Sequence, residues 1–312
     1  MVDRARLPAA PELSRSRFRR WLSRWRRRET LIAYAFISPW LIGMCAFYLG
    51  PTIASFVYSF TNYPIIAKPH WAGLQNYRTV FSDSQFRAAL EVTTIYTVGS
   101  VAVYLGGGLG LALLCNRRLP GVGVIRTLLF IPSLVPVFGM AVLWGWLFNR
   151  DFGLVNYTLH QLGVQQQGWF QSQSQALWMC VAVSFWTVGS AFVVFLAGLQ
   201  SIPHDLYEAI RVDGAGPLRR FWHVTLPMLS PVILFNLVIG IIISFQVFDI
   251  GWALTNGGPG NATLFYVLYI WRVAFQQFQM GYASAIAITL FIIIMILTLL
   301  QFRLGQRWVH YE

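Results

Sequence analysis

The sequence predicts an all-α polytopic membrane protein with six transmembrane helices and both termini on the cytoplasmic side. Hydrophobic residues make up 56% of the 312-residue chain and charged residues only 11%, with a mean hydropathy of +0.57. A soluble domain of that size cannot bury so much apolar surface behind so little charge. Six stretches are apolar enough to cross a hydrocarbon core of about 30 Å, which takes roughly 20 residues of helix. Arginine gathers beside alternate ends of those stretches. The formal charge of +12 would suggest nucleic acid in a soluble chain. Here the basic residues flank apolar spans, so the expected partner is the lipid bilayer and no nucleic acid.

The chain begins with a basic cytoplasmic segment, residues 1–30. Within it Phe18, Trp21, Leu22 and Trp25 recur at helical spacing with Arg between them, the pattern of an amphipathic helix lying on an anionic leaflet. Residues 31–303 form the membrane domain, with spans expected at 31–56, 93–115, 122–147, 176–199, 231–250 and 283–300. The first is too long for a signal peptide, and no small-residue cleavage site follows it. The segment 265–278 is apolar but short and is interrupted by Arg272 and Gln276-Gln277, which suggests an interfacial or re-entrant helix. Residues 304–312 form a cytoplasmic tail.

Orientation follows from the arginines. One side holds the N-terminal run from Arg4 to Arg28, then Arg117, Arg118 and Arg126, then Arg211, Arg219 and Arg220, and finally Arg303 and Arg307; the other holds only Lys68, Arg78, Arg87, Arg150 and Arg272. The charge-rich side is cytoplasmic, which requires an even number of spans. Cys45, Cys115 and Cys180 all fall in spans without C-x-x-C spacing, so neither a disulfide framework nor a metal site is expected. The histidines show no H-E-x-x-H pattern, and no G-x-x-x-x-G-K-[ST] phosphate loop occurs. The Gly106-Gly107-Gly108 run with Gly110 sits in apolar sequence and signals close helix packing.

The most informative loop spans residues 200–230, between the fourth and fifth spans. Pro203 suits a first helical turn, Ser201 is the better capping candidate, and Asp205 opposes the positive end of the helix dipole. Leu206, Ala209 and Ile210 share one face, and Gly214 ends the helix. Pro217 starts a second short helix through Phe221, Trp222 and Val224, which Pro227 and Pro231 close. Apolar residues on a water-facing helix point to a protein partner.

Glu208-Ala209-Ile210, then Gly214, then Leu226-Pro227, resembles the coupling loop of bacterial ABC importer permeases. The longer run from Gly198 through Ala215 to Thr225-Leu226-Pro227, with Leu254-Thr255-Asn256-Gly257-Gly258-Pro259 after Phe248-Asp249, is similar to the carbohydrate-uptake branch of that family. The resemblance covers nearly the whole chain. It departs at Ile210, where the signature usually has a second Ala, and in lacking a large outer insertion.

That resemblance implies a non-catalytic permease subunit with an ABC importer permease core, in the inner membrane of a bacterium. Leu206, Glu208, Ala209, Ile210, Asp213, Gly214, Leu226 and Pro227 would dock on a cytoplasmic ATPase. Glu208 would track ATPase closure and Gly214 would allow the sharp turn. Two ATPase copies would hold the ATP and magnesium, so no cofactor is expected in this chain. A second permease subunit, an extracytoplasmic solute-binding protein and a carbohydrate or related polyol complete the expected partners.

For the solute itself, polar groups inside spans usually face a cavity or the bundle interior. Candidates are Asn236, Ser244, Gln246 and Asp249 on the fifth span and Ser184, Trp186, Thr187 and Ser190 on the fourth, with Trp186, Phe245 and Phe248 available to stack on a sugar. Helix–helix hydrogen bonding is the alternative reading for each. Asp249 is read two ways, as cavity lining or as a bond to the 255–258 turn. The rival function is a stand-alone secondary transporter for a small polar solute. It would need an intramembrane acidic relay, and the spans are nearly free of acidic residues.

Overall fold

A computed structural model describes residues 15–117 and 120–309, with only the backbone for residues 15–28. The face expected at Phe18, Trp21, Leu22 and Trp25 thus lies outside the described side chains, on backbone that is helical. The chain divides into two units, the first ending at Val57 and the second starting at Tyr58. The first is a single helical path: α1 (Arg15–Met44), a π turn at Cys45–Leu49, and α2 (Gly50–Tyr58), which runs into the second unit. Pro51 accounts for the π turn. It offers no N–H to the carbonyl four residues back and crowds it, and the Gly50 N–H reaches instead to the Cys45 carbonyl. Residues Glu29–Tyr58 are long and apolar enough to cross a membrane.

The second unit opens with a short antiparallel hairpin, β1 (Thr61–Asn62) and β2 (His70–Trp71). Asn76 on α3 (Gln75–Ser82) fastens it by donating to the carbonyls of Ser59 and Thr61. Next comes α4 (Ser84–Cys115), whose N-cap is Asp83, accepting from the Gln85 N–H at 2.8 Å.

The third span departs from the expected single helix. It consists of α5 (Val122–Phe130), a 3-10 turn at Ile131–Leu134 and α6 (Val137–Leu147), with a bend of 94° between the two arms. Pro132 and Pro136 are the cause, because a proline disfavours helical backbone in the residue before it and removes a donor; Val135 is accordingly extended. After α7 (Leu154–Gln161), the fourth span also breaks. A 3-10 turn at Ser184–Thr187 separates α8 (Ala176–Val183) from α9 (Val188–Ser201). There the Ser184 hydroxyl donates to the Val181 carbonyl and the Thr187 hydroxyl to the Ser184 carbonyl, side chains competing for the helix's own acceptors.

The connection holds α10 (His204–Val212), α11 (Pro217–Arg220), a π turn at Phe221–Thr225 and α12 (Leu226–Met228). Pro227 and Pro231 stand in the first turns of α12 and α13 rather than closing a helix, positions where the missing N–H is harmless. A 65° bend leads into α13 (Ser230–Phe245). The fifth span thus ends at Phe245, short of the expected residue 250, and α14 (Asp249–Thr255) starts anew. The segment read as interfacial or re-entrant is α15 (Tyr266–Trp271) with a π turn at Arg272–Gln276. It is packed inward, with Tyr266, Leu268, Tyr269, Val273 and Ala274 buried. The sixth span is α16 (Met280–Gly305). Among the described residues four helices are long and apolar enough to cross a membrane, with α8 and α9 counted together as one, and the count reaches six when each bent pair is one span.

Two separate hydrophobic cores form along α4. One gathers Phe86, Ala89 and Tyr96 of α4 with Val183, Phe265, Leu268 and Ile286. The other gathers Ala112 and Cys115 of α4 with Phe192, Phe195, Leu199 and Leu229. The glycine run serves the α4–α9 seam at two positions. A Cβ on Gly108 would stand 2.7 Å from that of Ala191, and one on Gly107 about 3.1 Å from Val188. Gly106 and Gly110 face open space.

Candidate functional site

Two places in the molecule concentrate the sequence-predicted residues. The first is the hook formed by α10 and α11. Pro203 takes the N-cap position, one residue before the helix. Ser201 does not cap α10, because it still belongs to α9 and donates to the Gly198 carbonyl at 2.8 Å. Asp205 lies in the first turn. The C-terminus is a Schellman staple: Gly214 has φ +76°, its N–H reaches the Arg211 carbonyl, and the Ala215 N–H reaches the Ile210 carbonyl, both at 3.1 Å. Ala215 is buried beneath it.

The staple leaves the apolar side chains outside. Leu206 and Ala209 are exposed, Ile210 and Phe221 half-buried, Trp222 exposed. Val212 is 88% exposed and Leu218 72%, an extent of bare aliphatic surface that marks a contact site. Asp213 is exposed, while Leu226 and Pro227 are half-buried. Glu208 pairs with Nδ1 of His204 at 3.1 Å, with both side chains more than two-thirds exposed; such pairs hold little energy. The two arms are joined by a bond that the sequence did not announce, between the hydroxyls of Tyr207 and Thr225 at 3.0 Å.

The second place is a cavity of about 450 Å³ where the three helix breaks meet. The α8–α9 break contributes Ser184, Thr187 and Ser190, and Val137 comes from the start of α6. Ser244, Gln246, Phe248 and Asp249 line it from the α13–α14 junction. The fourth wall is α4, with Tyr96, Ser100 and Tyr104 at steps of four residues, one face of the helix. Ser100 donates to Ser244 across the wall at 3.1 Å. The three α4 residues escaped the sequence reading. Their signal, hydroxyl-bearing side chains at i, i+4 and i+8 in an apolar span, was present.

The other candidates sit elsewhere. Asn236 is buried within α13 and donates back to the Val232 carbonyl at 2.9 Å. Phe245 belongs to the first core. Trp186 lies edge-on to Trp144 with centroids 5.7 Å apart, outside the cavity wall. Phe248 stacks nearly parallel to Trp252 at 6.3 Å. Asp249 does not bond the 255–258 turn, which is closed by the Gly258 N–H to the Thr255 carbonyl and by the hydroxyl pair Thr255 and Thr263.

Asp83 is a further unforeseen node. Its carboxylate accepts the hydroxyls of Tyr269 on α15 and Tyr282 on α16 besides capping α4. Burial works to raise its pKa, but the hydrogen bonds from Tyr269, Tyr282 and the Gln85 and Phe86 backbone outweigh this and hold it below the usual carboxylate value. Asn156 is buried and ties the surrounding loop together, with both amide hydrogens bonded to the carbonyls of Arg150 and Gln167.

Interrupted spans around a mainly apolar cavity with a few hydroxyl, amide and carboxyl groups, and a stapled hook between two of them, suit a membrane transport protein. Residues 102–310 match the family of binding-protein-dependent transport system inner membrane components, and the chain belongs to that family. It is a membrane-spanning, non-catalytic permease subunit of an ABC importer. It is 40% identical to a probable ABC transporter permease protein, YesP, of Bacillus subtilis, over 93% of this chain and 95% of that one. It is 35% identical to the trehalose/maltose transport system permease protein MalF of Thermococcus litoralis, over 91% and 97%. The fold is shared with a bacterial ABC transporter that imports the acidic polysaccharide alginate, at TM-score 0.79 and 23% identity over 91% of this chain and 98% of that one.

Proposed function

We propose that this chain is one of two permease subunits in an ATP-driven importer of a carbohydrate or related polyol in the bacterial cytoplasmic membrane. The carrying observation is the hook, whose backbone is fixed by its own staple while Leu206, Ala209, Val212, Leu218 and Trp222 remain bare. A rigid lever with an apolar face suits docking on a cytoplasmic ATPase. Two ATPase copies would supply ATP and magnesium, Glu208 would sense their closure, and both termini would lie on the hook's side. A binding protein would deliver solute at the other face, and the solute would pass through the 450 Å³ cavity, a size ordinary for small-molecule sites. The relative named for trehalose/maltose transport supports the polyhydroxylated cargo.

The test is a detergent pull-down of the tagged chain expressed with its genomic neighbours, beside a Glu208→Ala/Gly214→Val double variant. An ATPase and a second permease should accompany the wild type. The variant should keep the permease and lose the ATPase. A chain that purifies alone in both cases defeats the reading.

A further inference from the structure

We propose that the cavity admits uncharged, polyhydroxylated solutes and turns anions away, with Asp249 as the discriminating residue. The inference rests on the reading that solute passes through this cavity. It starts from an imbalance. The chain holds 23 Lys and Arg against 11 Asp and Glu, yet no Lys, Arg or His lines this cavity; its one acidic or basic side chain is the Asp249 carboxylate. A second cavity against α14, about 500 Å³, is lined by Phe148, Phe170, Trp252, Asn149 and Asn256 among others and carries no acidic or basic side chain at all. Excess positive charge elsewhere has been kept out of both.

The chemistry of the wall follows. An anion entering a low-dielectric cavity needs a cation or a set of fixed donors to replace its water. Here the wall supplies no cation, and its one acidic side chain, Asp249, presents oxygens that accept hydrogen bonds from a solute. A neutral sugar faces no such barrier. Its hydroxyls can donate to the Asp249 oxygens and exchange bonds with Ser184, Thr187, Ser190 and Gln246, all lining the same cavity. Its C–H face can lie on Phe248, which is already part of an aromatic stack with Trp252. Hydroxyls match this donor–acceptor wall, and a phosphate or uronate does not.

The experiment uses the intact complex in lipid nanodiscs and saturation-transfer NMR, which detects weak binding. The probes are maltose, trehalose and cellobiose against their uronate analogues, which differ by one carboxylate. The neutral sugars should give signals at least fivefold above the uronates. Asp249→Asn should narrow that ratio to near unity by raising the uronate signal, while Asp249→Glu should preserve it. Uronates that bind as well as their parents in the wild type overturn the inference and leave the carbohydrate reading standing. Binding by neither set overturns both. An unchanged ratio in Asp249→Asn, with the complex still assembled, removes Asp249 from the role. The wild-type comparison needs no variant to fold.

Discussion

The hook and the junction at the start of α4 are held by opposite means. In the hook nearly every bond is local: the staple closes over a single turn, and the cross-link from Tyr207 to Thr225 spans 18 residues. At the junction Asp83 gathers hydroxyls from residues 186 and 199 positions away, and the Tyr266 N–H bonds to Thr93 across 173. The hook's backbone geometry is set by its own residues, and Ile202, Tyr207 and Val224 seat it on the second core. An element fixed by distant partners keeps several helices in register, which is what an anchored end needs. The two ends therefore break under different substitutions.

The largest effect is expected at the hook. In Gly214→Val the left-handed residue gains a branched side chain, and that conformation costs about 1–2 kcal/mol even for unbranched residues. Transport by the reconstituted complex should fall at least about tenfold, since 1.4 kcal/mol taken from the hook's docking geometry is a factor of ten, while the thermal midpoint of the isolated chain falls by only a few degrees. Wild-type transport in this variant would dissolve the contrast. The next change is at the α4–α9 seam. Gly108→Leu would overpack it against Ala191, and such insertions cost about 1–3 kcal/mol; a thermal-shift assay in detergent should show the loss.

Asp83→Asn should have a smaller effect with a pH signature. Because the folded carboxylate is held low, its contribution is present above the ordinary carboxylate range and is lost as pH falls through the depressed value. The wild-type midpoint should drop on acidification below about pH 4, and the variant's curve should be flatter there. Parallel curves would take the junction out of the account. The smallest change is Ser244→Ala, which removes the partner of Ser100. It should alter solute preference without touching ATPase retention in the pull-down.

Legibility divides along the same line. The hook could be read residue by residue because Pro203, Gly214 and Pro217 act on their own backbone. Ser201 as a cap and Pro203 inside the first turn were misread where α9 persisted past the point composition suggests, and Pro227 and Pro231 open short helices instead of closing one. The spans could be found by hydropathy, but not their breaks: Pro132 and Pro136 were visible, and the inference of a bend was not drawn. The 3-10 turn at Ser184–Thr187 has no proline to announce it. The cavity was half legible, since Ser184, Thr187, Ser244, Gln246 and Asp249 stand out as polar groups in apolar runs. Asn236 stands out equally and turns back onto its own helix. Only packing separates the two cases. The Asp83 node joins residues nearly two hundred positions apart, beyond the reach of any local pattern.

Among these features, the placement of the helix breaks bears most directly on movement. The interruptions at 131–136 and at 184–187 both lie between the two hydrophobic cores, whereas α4 runs past both without a gap. The peptide units there lack full helical bonding and are the natural places for a span to flex, while α4 and α13 run uninterrupted from one core to the other and tie the two together.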